Sequence, residues 1–176
     1  MKTTVYIGTS LDGFIARKDG NIDWLVQFEN KEINQSYIAF INTIDTILIG
    51  RGTYEKVLTF PTWPYDKNVF VLSNSIKEIP DILKEKVTIL SMEPKELLVY
   101  LSNKGFSNCY IDGGKVIQSF LKEDLIDELI ITNVPVLIGS GISLFGHLDN
   151  DLQFKHILTE IYSNGLVKNR YKRKRN

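Results

Sequence analysis

Two short stretches bring anion-binding chemistry to this chain. Ile111–Asp112–Gly113–Gly114–Lys115–Val116 passes from a strand through paired glycines into a helix. Ile49–Gly50–Arg51–Gly52–Thr53–Tyr54–Glu55 makes a similar passage earlier. A strand that turns straight into a helix aims the first helical N–H groups, and the positive end of the dipole, at one point. Phosphate is the usual occupant of such a point. Gly113, Gly114 and Lys115 supply donors at one junction, and Gly50, Arg51, Gly52 and Thr53 shape and supply the other. Tight turns without a ligand use the same glycines. Asp112, directly before the glycine pair, is either an acid for proton transfer or a cap for the following helix.

Other reactive residue types narrow the chemistry. The single cysteine, Cys109, excludes an internal disulfide and a multi-cysteine zinc site, and its apolar neighbours make it core. His147 and His156 have no acid or cysteine cluster around them, so no metal site is expected. Neither G-x-S-x-G nor G-x-x-x-x-G-K-[ST] occurs, which argues against serine-hydrolase and P-loop chemistry. The H-x-E and P-C-x-x-C pair of zinc deaminases is missing too.

These residues need a scaffold, and 176 residues with 43% hydrophobic and 24% charged composition suit one globular domain spanning 1–176. The start, MKTTVYIGTS, lacks the apolar core of a signal peptide, and no apolar run approaches the ~20 residues of a membrane span. A soluble cytoplasmic protein is expected, without membrane or nucleic-acid partners. The net charge of zero hides an asymmetry: six of the 21 basic residues fall between Lys168 and Arg175, leaving 15 against 21 acidic residues elsewhere. An acidic body repels phosphate backbones, so the basic end reads as a terminal strand with solvated cations and a frayed end.

Strands are predicted at Thr3–Thr9, Thr46–Ile49, Asn68–Leu72, Val87–Leu90, Asn108–Ile111 and Asp127–Val136. Helices are predicted over Lys31–Thr43, Thr53–Leu58, from Pro94 to near Gly105, and from the glycine pair to about Glu123. Ser10–Asn21 reads as a loop, with Asp12–Gly13 and Asp19–Gly20 as turn signals. Alternating strands and helices imply an α/β domain on a largely parallel sheet. Phe154–Tyr162 and Leu166–Arg173, joined by Ser163–Asn164–Gly165, add an antiparallel hairpin, so the sheet is mixed.

The same residues resemble a family. Val5–Ala16 is similar to the opening strand and loop of the dihydrofolate reductase-like superfamily, and most of all to its riboflavin-biosynthesis reductase C-terminal domain branch. Gly50–Glu55 resembles the G-R-x-T-[WY]-E block, Val71–Asn74 the third-strand exit, and Ile111–Leu121 the strand–Gly–Gly–helix. Pro135–Gly141 with Leu144–Phe145 resembles the late P-x-L-x-G-x-G…L-F block, and Ile22–Leu25 a D-W block. The resemblance implies a three-layer dihydrofolate reductase-like fold and an oxidoreductase that passes hydride from NADPH to a pteridine-like or aminopyrimidine-like heterocycle. A nucleotide-binding module without turnover is the alternative. It also implies a homodimer. By position, Gly8 and Ile15 would hold the nicotinamide carboxamide, and Ser73 and Asn74 would lie near the 2′-phosphate. Asp12 and Thr132 would lie beside the reacting ring, where they join Asp112 as catalytic candidates. Trp24 either stacks on the substrate or packs the core. Folate-reducing members anchor the pterin on a helix carboxylate; counting back from the G-R-x-T block gives Asn34 there, with Glu32 and Asp23 as nearby stand-ins. An amide cannot ionise, which argues against true folate reduction. The Gly139–Gly146 loop is expected to be a structural crossover.

Overall fold

A computed structural model describes residues 1–175. In chain order the elements are β1 (Lys2–Ser10), β2 (Phe14–Ala16), α1 (Asp23–Val26), α2 (Lys31–Ile41), β3 (Thr46–Gly50), α3 (Arg51–Val57), β4 (Asn68–Leu72) and β5 (Val87–Leu90). They continue with α4 (Pro94–Asn103), β6 (Asn108–Asp112), α5 (Gly114–Lys122), β7 (Glu128–Val134), β8 (Ile142–Ser143), β9 (Phe154–Ile161) and β10 (Val167–Arg173). One eight-stranded sheet runs β5-β4-β3-β6-β1-β7-β10-β9. The strands from β5 to β7 pair in parallel, and β10 pairs antiparallel with both β7 and β9. β2 and β8 form a separate two-stranded sheet.

Period-two alternation divides the sheet's side chains between two cores. Ile47, Ile49, Val69, Val71, Tyr110 and Ile130 face Phe40 of α2 and Tyr54 and Val57 of α3. Val5, Leu48, Phe70, Ile111 and Leu129 face Leu97 and Leu101 of α4 and Ile117 and Phe120 of α5. Cys109 lies fully buried in this second core. Helices on opposite faces have a consequence at the carboxyl ends of the strands. β3 feeds α3 on one face, while its neighbour β6 feeds α5 on the other. The chain therefore parts between β3 and β6 and leaves a crevice there, the usual ligand position in an open α/β sheet.

The elements that the sequence marks with caps and alternation are present within a few residues. Asn30 caps α2 by accepting from Ile33 N–H at 2.9 Å, and Pro94 opens α4. The 127–136 strand is shorter than expected: it ends at Val134, before Pro135, which has no N–H to donate. The Ser10–Asn21 segment is not wholly loop, since β2 forms inside it. The basic end differs more. Lys168 is 9% exposed, bonding Glu160 at 2.7 Å and Ser36 at 2.6 Å. Arg170 meets Glu128 at 2.5 Å, Arg173 meets Asp124 at 2.6 Å, and Arg175 pairs with Asp127. These cations are consumed by acids of the body instead of being solvated; Asn176 lies outside the described residues. Among the described residues no helix is long and apolar enough to cross a membrane.

Candidate active site at the β3/β6 crevice

The glycines of the two junctions meet in the crevice. Gly113 has φ +91°, and a Cβ there would lie 2.4 Å from Thr53 Oγ1 and 3.7 Å from Gly50 N. A Cβ on Gly50 would lie 3.0 Å from the Val116 side chain. Only glycine allows α3 and α5 to begin this close together. Gly114 is packed on its other side by Ile15 of β2 and Ile142 of β8, so the small sheet braces the first turn of α5. Neither helix receives a side-chain cap at its N-terminus. Asp112 Oδ1 accepts from Gly113 N–H at 2.8 Å, the residue before the helix, and so leaves the N–H groups of the first turn uncapped. Of the two alternatives for Asp112, the helix cap is therefore not the one formed. Lys115 lies exposed in that first turn.

The neighbouring strand end extends this surface. Arg51 Nη1 donates to Ser75 Oγ at 3.3 Å, and Arg51 lies 3.7 Å from Glu55. Ser73 Oγ accepts from the N–H groups of Ser75 and Ile76, each at 3.2 Å, so it shapes its own turn. Ser75 links Arg51 to Ser73 and was not singled out from sequence; a serine-rich exit, Ser73–Asn74–Ser75, was the available signal. A cleft of about 460 Å³ lies here, lined by Ser73, Asn74, Ser91, Glu93 and Glu96.

The other candidates fall into different settings. Asp12 accepts from Ser10 Oγ at 2.6 Å, Gly139 N–H at 2.7 Å and Ile138 N–H at 3.3 Å. The Ser10 hydrogen bond first, then those backbone donors, hold its carboxyl below the usual range. An ionised carboxylate tied to the 138–139 loop is a clamp and has no proton to give at neutral pH. That loop closes tightly on β2: a Cβ on Gly141 would lie 2.2 Å from the Ala16 carbonyl oxygen. Thr132 sits beside Gly8 in the β1/β7 register, and its buried Oγ1 has no hydrogen-bond partner among the described residues. Leu25 of α1 covers Gly8, 3.1 Å from where its Cβ would be. Trp24 is 2% exposed and packs with Val134 and Leu166, so it belongs to the core; its Nε1 has no partner. On α2 the residues turned toward the sheet are Ile33, Ser36, Tyr37 and Phe40, and Asn34 is exposed outside that stripe.

A larger cavity, about 550 Å³, lies between α2 and the outer strands. Its charges satisfy one another: Lys168 with Glu160, Lys2 and Arg170 with Glu128, and Glu32 with Ser163. Burial pushes Glu128 up, but Arg170 and Lys2 outweigh it and hold the carboxyl below its ordinary value. The crevice, in contrast, holds uncapped N–H donors and the exposed Lys115, while the orphan Thr132 hydroxyl lies on β7, two strands from β6.

Known proteins share this frame. A Bacillus subtilis protein named only as the uncharacterized YwjB is 44% identical over 158 residues, covering 88% of each chain. A solved structure from Shewanella sp. PV-4, provisionally named a riboflavin biosynthesis protein, is 44% identical, covers 99% of this chain and 100% of its own, and superposes with a TM-score of 0.94. Enterococcus faecalis dihydrofolate reductase, solved with NADP(H), shares the fold at a TM-score of 0.68 and 16% identity, with 99% and 97% coverage. The family model described as RibD C-terminal domain matches residues 2–168, and with the collinear glycine junctions seated in one crevice, this chain belongs to that family.

Proposed function

We propose that this protein is an NADPH-dependent reductase of a pteridine-like or aminopyrimidine-like heterocycle. The observation that carries the reading is the glycine cradle: Gly113 and Gly50 bring α3 and α5 so close that a single methyl group at 113 would fill the gap to Thr53. Two helix N-termini held side by side, neither with a side-chain cap, suit a diphosphate. Thr53 and the N–H groups of Gly114 and Lys115 would hold the diphosphate. Arg51, Ser75, Ser73 and Asn74 would take the 2′-phosphate at the mouth of the adjoining cleft. Gly8 and Ile15 would line the nicotinamide, which supplies hydride when bound. The fold shared with a reductase solved with NADP(H) supports the same assignment. Leu25 must withdraw from Gly8 for the ring to seat there. We also assign the protein to the cytoplasm and to a homodimer.

Calorimetric titration with NADPH and NADH, followed by NADPH oxidation with a panel of pterins and aminopyrimidines, tests the reading. Saturable NADPH binding with oxidation by one member of the panel is expected. Absence of NADPH binding overturns it. Binding without oxidation across the panel would instead indicate the silent nucleotide-binding module.

A further inference from the structure

Asp12 and the loop after β7 have no duty in the reductase reading, yet the two are bound together at a strand end that needs support. β1 pairs with β6 only over Lys2–Thr4, so from Val5 onward it has a strand on one side alone. Its exit, from Gly8 to Ser10, is paired with Thr132, Asn133 and Val134 of β7. One side-chain contact adds to that pairing: Asn133 Nδ2 donates to Thr9 Oγ1 at 3.2 Å.

Beyond this exit the chain turns back as β2, and Asp12 sits in the turn. Its Oδ2 accepts from Gly139 N–H at 2.7 Å, and its Oδ1 from Ile138 N–H at 3.3 Å. Ser10 Oγ donates to the same Oδ1 at 2.6 Å and accepts from Phe14 N–H at 3.0 Å, which ties the carboxylate to the first residue of β2. Backbone bonds run beside it, from Leu11 N–H to the Val136 carbonyl at 2.8 Å and from Leu144 N–H to the Gly13 carbonyl at 3.0 Å. Gly139 has φ +75°, and Gly141 leaves no room for a Cβ against the Ala16 carbonyl. Both glycines are needed for the loop to come this close. The loop then supplies β8, the partner of β2.

The β2–β8 pairing is irregular at one place. Phe14 faces Ser143 and Ala16 faces Ile142, so Ile15 is the extra residue of a bulge. Such a residue is left out of the ladder, and a bulge beside a site re-aims its side chain. The Ile15 Cδ1 lies 3.2 Å from where a Gly114 Cβ would be, against the first turn of α5. Its N–H and C=O, free of the ladder, match the acceptor and the donors of a primary carboxamide.

We propose that Asp12 is a positioning residue for the nicotinamide half of the cofactor. Its carboxylate pins the 138–139 loop, the loop holds β2 in its bulged register, and the bulge presents Ile15 to the carboxamide. The proposal rests on the reductase reading. In this role Asp12 exchanges no proton and acts through β8 and β2. A carboxylate suits the task, because two N–H groups and one hydroxyl all donate to it. An amide has one acceptor oxygen for the same three donors. The phosphate-binding residues, on α3, α5 and the exit of β4, join these contacts only where Ile15 meets Gly114.

Asp12→Ala, Asp12→Asn and Ser10→Ala test the proposal, with NADPH and adenosine 2′,5′-bisphosphate titrated into each protein by calorimetry. The bisphosphate carries the 2′-phosphate and one phosphate of the diphosphate, and it lacks the nicotinamide. Asp12→Ala is expected to weaken NADPH about tenfold, the scale of losing charge-assisted hydrogen bonds, while the bisphosphate stays within about threefold. Asp12→Asn recovers part of the difference, and Ser10→Ala shows a smaller loss of the same kind. The ratio of the two dissociation constants is the readout, so a general loosening of the fold, which weakens both probes alike, does not imitate the result. A ratio unchanged from wild type in Asp12→Ala, or in Asp12→Asn if the alanine protein does not fold, overturns the proposal while leaving the reductase reading intact. A wild-type protein that fails to bind NADPH overturns both.

Discussion

Two aspartates of this chain carry opposite electrostatics, and the contrast decides their roles. Asp12 gathers three donors and is held ionised. Asp112 has one donor and loses solvent, and its carboxyl is pushed up to about 6. Spacing in the sequence ranked the two alike, because both precede glycine. Their settings come from distant segments: the Gly139 N–H reaches Asp12, and α2 and α3 cover the sheet face to which Asp112 belongs. The raised value has a cost for folding. The folded protein keeps the Asp112 proton to higher pH than the unfolded chain, whose carboxyl ionises near its ordinary 3.8. Stability therefore falls as pH rises from about 4 to past 6. Two pKa units correspond to about 2.7 kcal/mol, and partial exposure reduces this to about 1–2 kcal/mol. Asp112→Asn should accordingly match wild type in urea melts near pH 4 and exceed it by about 1–2 kcal/mol at pH 8. Equal stability at both pH values would refute the raised carboxyl. Arg51 acts through its charge. Arg51→Ala should reduce the preference for NADPH over NADH by about tenfold, the scale of one exposed charge-assisted hydrogen bond to phosphate. The ratio of the two dissociation constants measures it.

At the scale of elements, the crevice depends on how α3 and α5 start. Gly113 combines positive φ with a 2.4 Å approach to Thr53, so Gly113→Ala pays both strain and a clash. About 2 kcal/mol or more of destabilisation is expected, read by thermal unfolding, together with loss of NADPH binding. The strand–Gly–Gly–helix was recognisable from residue order, since the turn chemistry is local. So were α2 and α4, with Asn30 and Pro94 at their starts. What local sequence did not reveal were the elements made by distant pairing. β2 and β8 have three and two residues, too few for a periodic signal, and they exist because Phe14 meets Ser143 across the fold. α1 is four residues long and its start, Ile22, provides no cap. The basic end misled for the same reason: Asp124, Asp127, Glu128 and Glu160, which neutralise it, lie on other elements. Asn34 was assigned by counting along a loop of uncertain length, and the helix turns that residue outward.

For the whole molecule, the sheet has one edge that solvent should not be left to cover. β9 is the last strand, and Ile157, Leu158 and Ile161 are 46%, 47% and 78% exposed. Long apolar edge strands normally pair or are shielded. A second copy of this chain is the proposed cover, and sedimentation velocity should give a dimer at micromolar concentration, with Ile161→Lys shifting it toward monomer. A monomer at working concentration would contradict the homodimer. The β3/β6 crevice is proposed to bind a phosphorylated nicotinamide dinucleotide. Isothermal titration of the purified protein with NADPH and NADH addresses it most directly. One site per chain, with NADPH bound more tightly than NADH and the difference reduced in Arg51→Ala, is the predicted result. No heat and no saturation with either dinucleotide at millimolar concentration would contradict it.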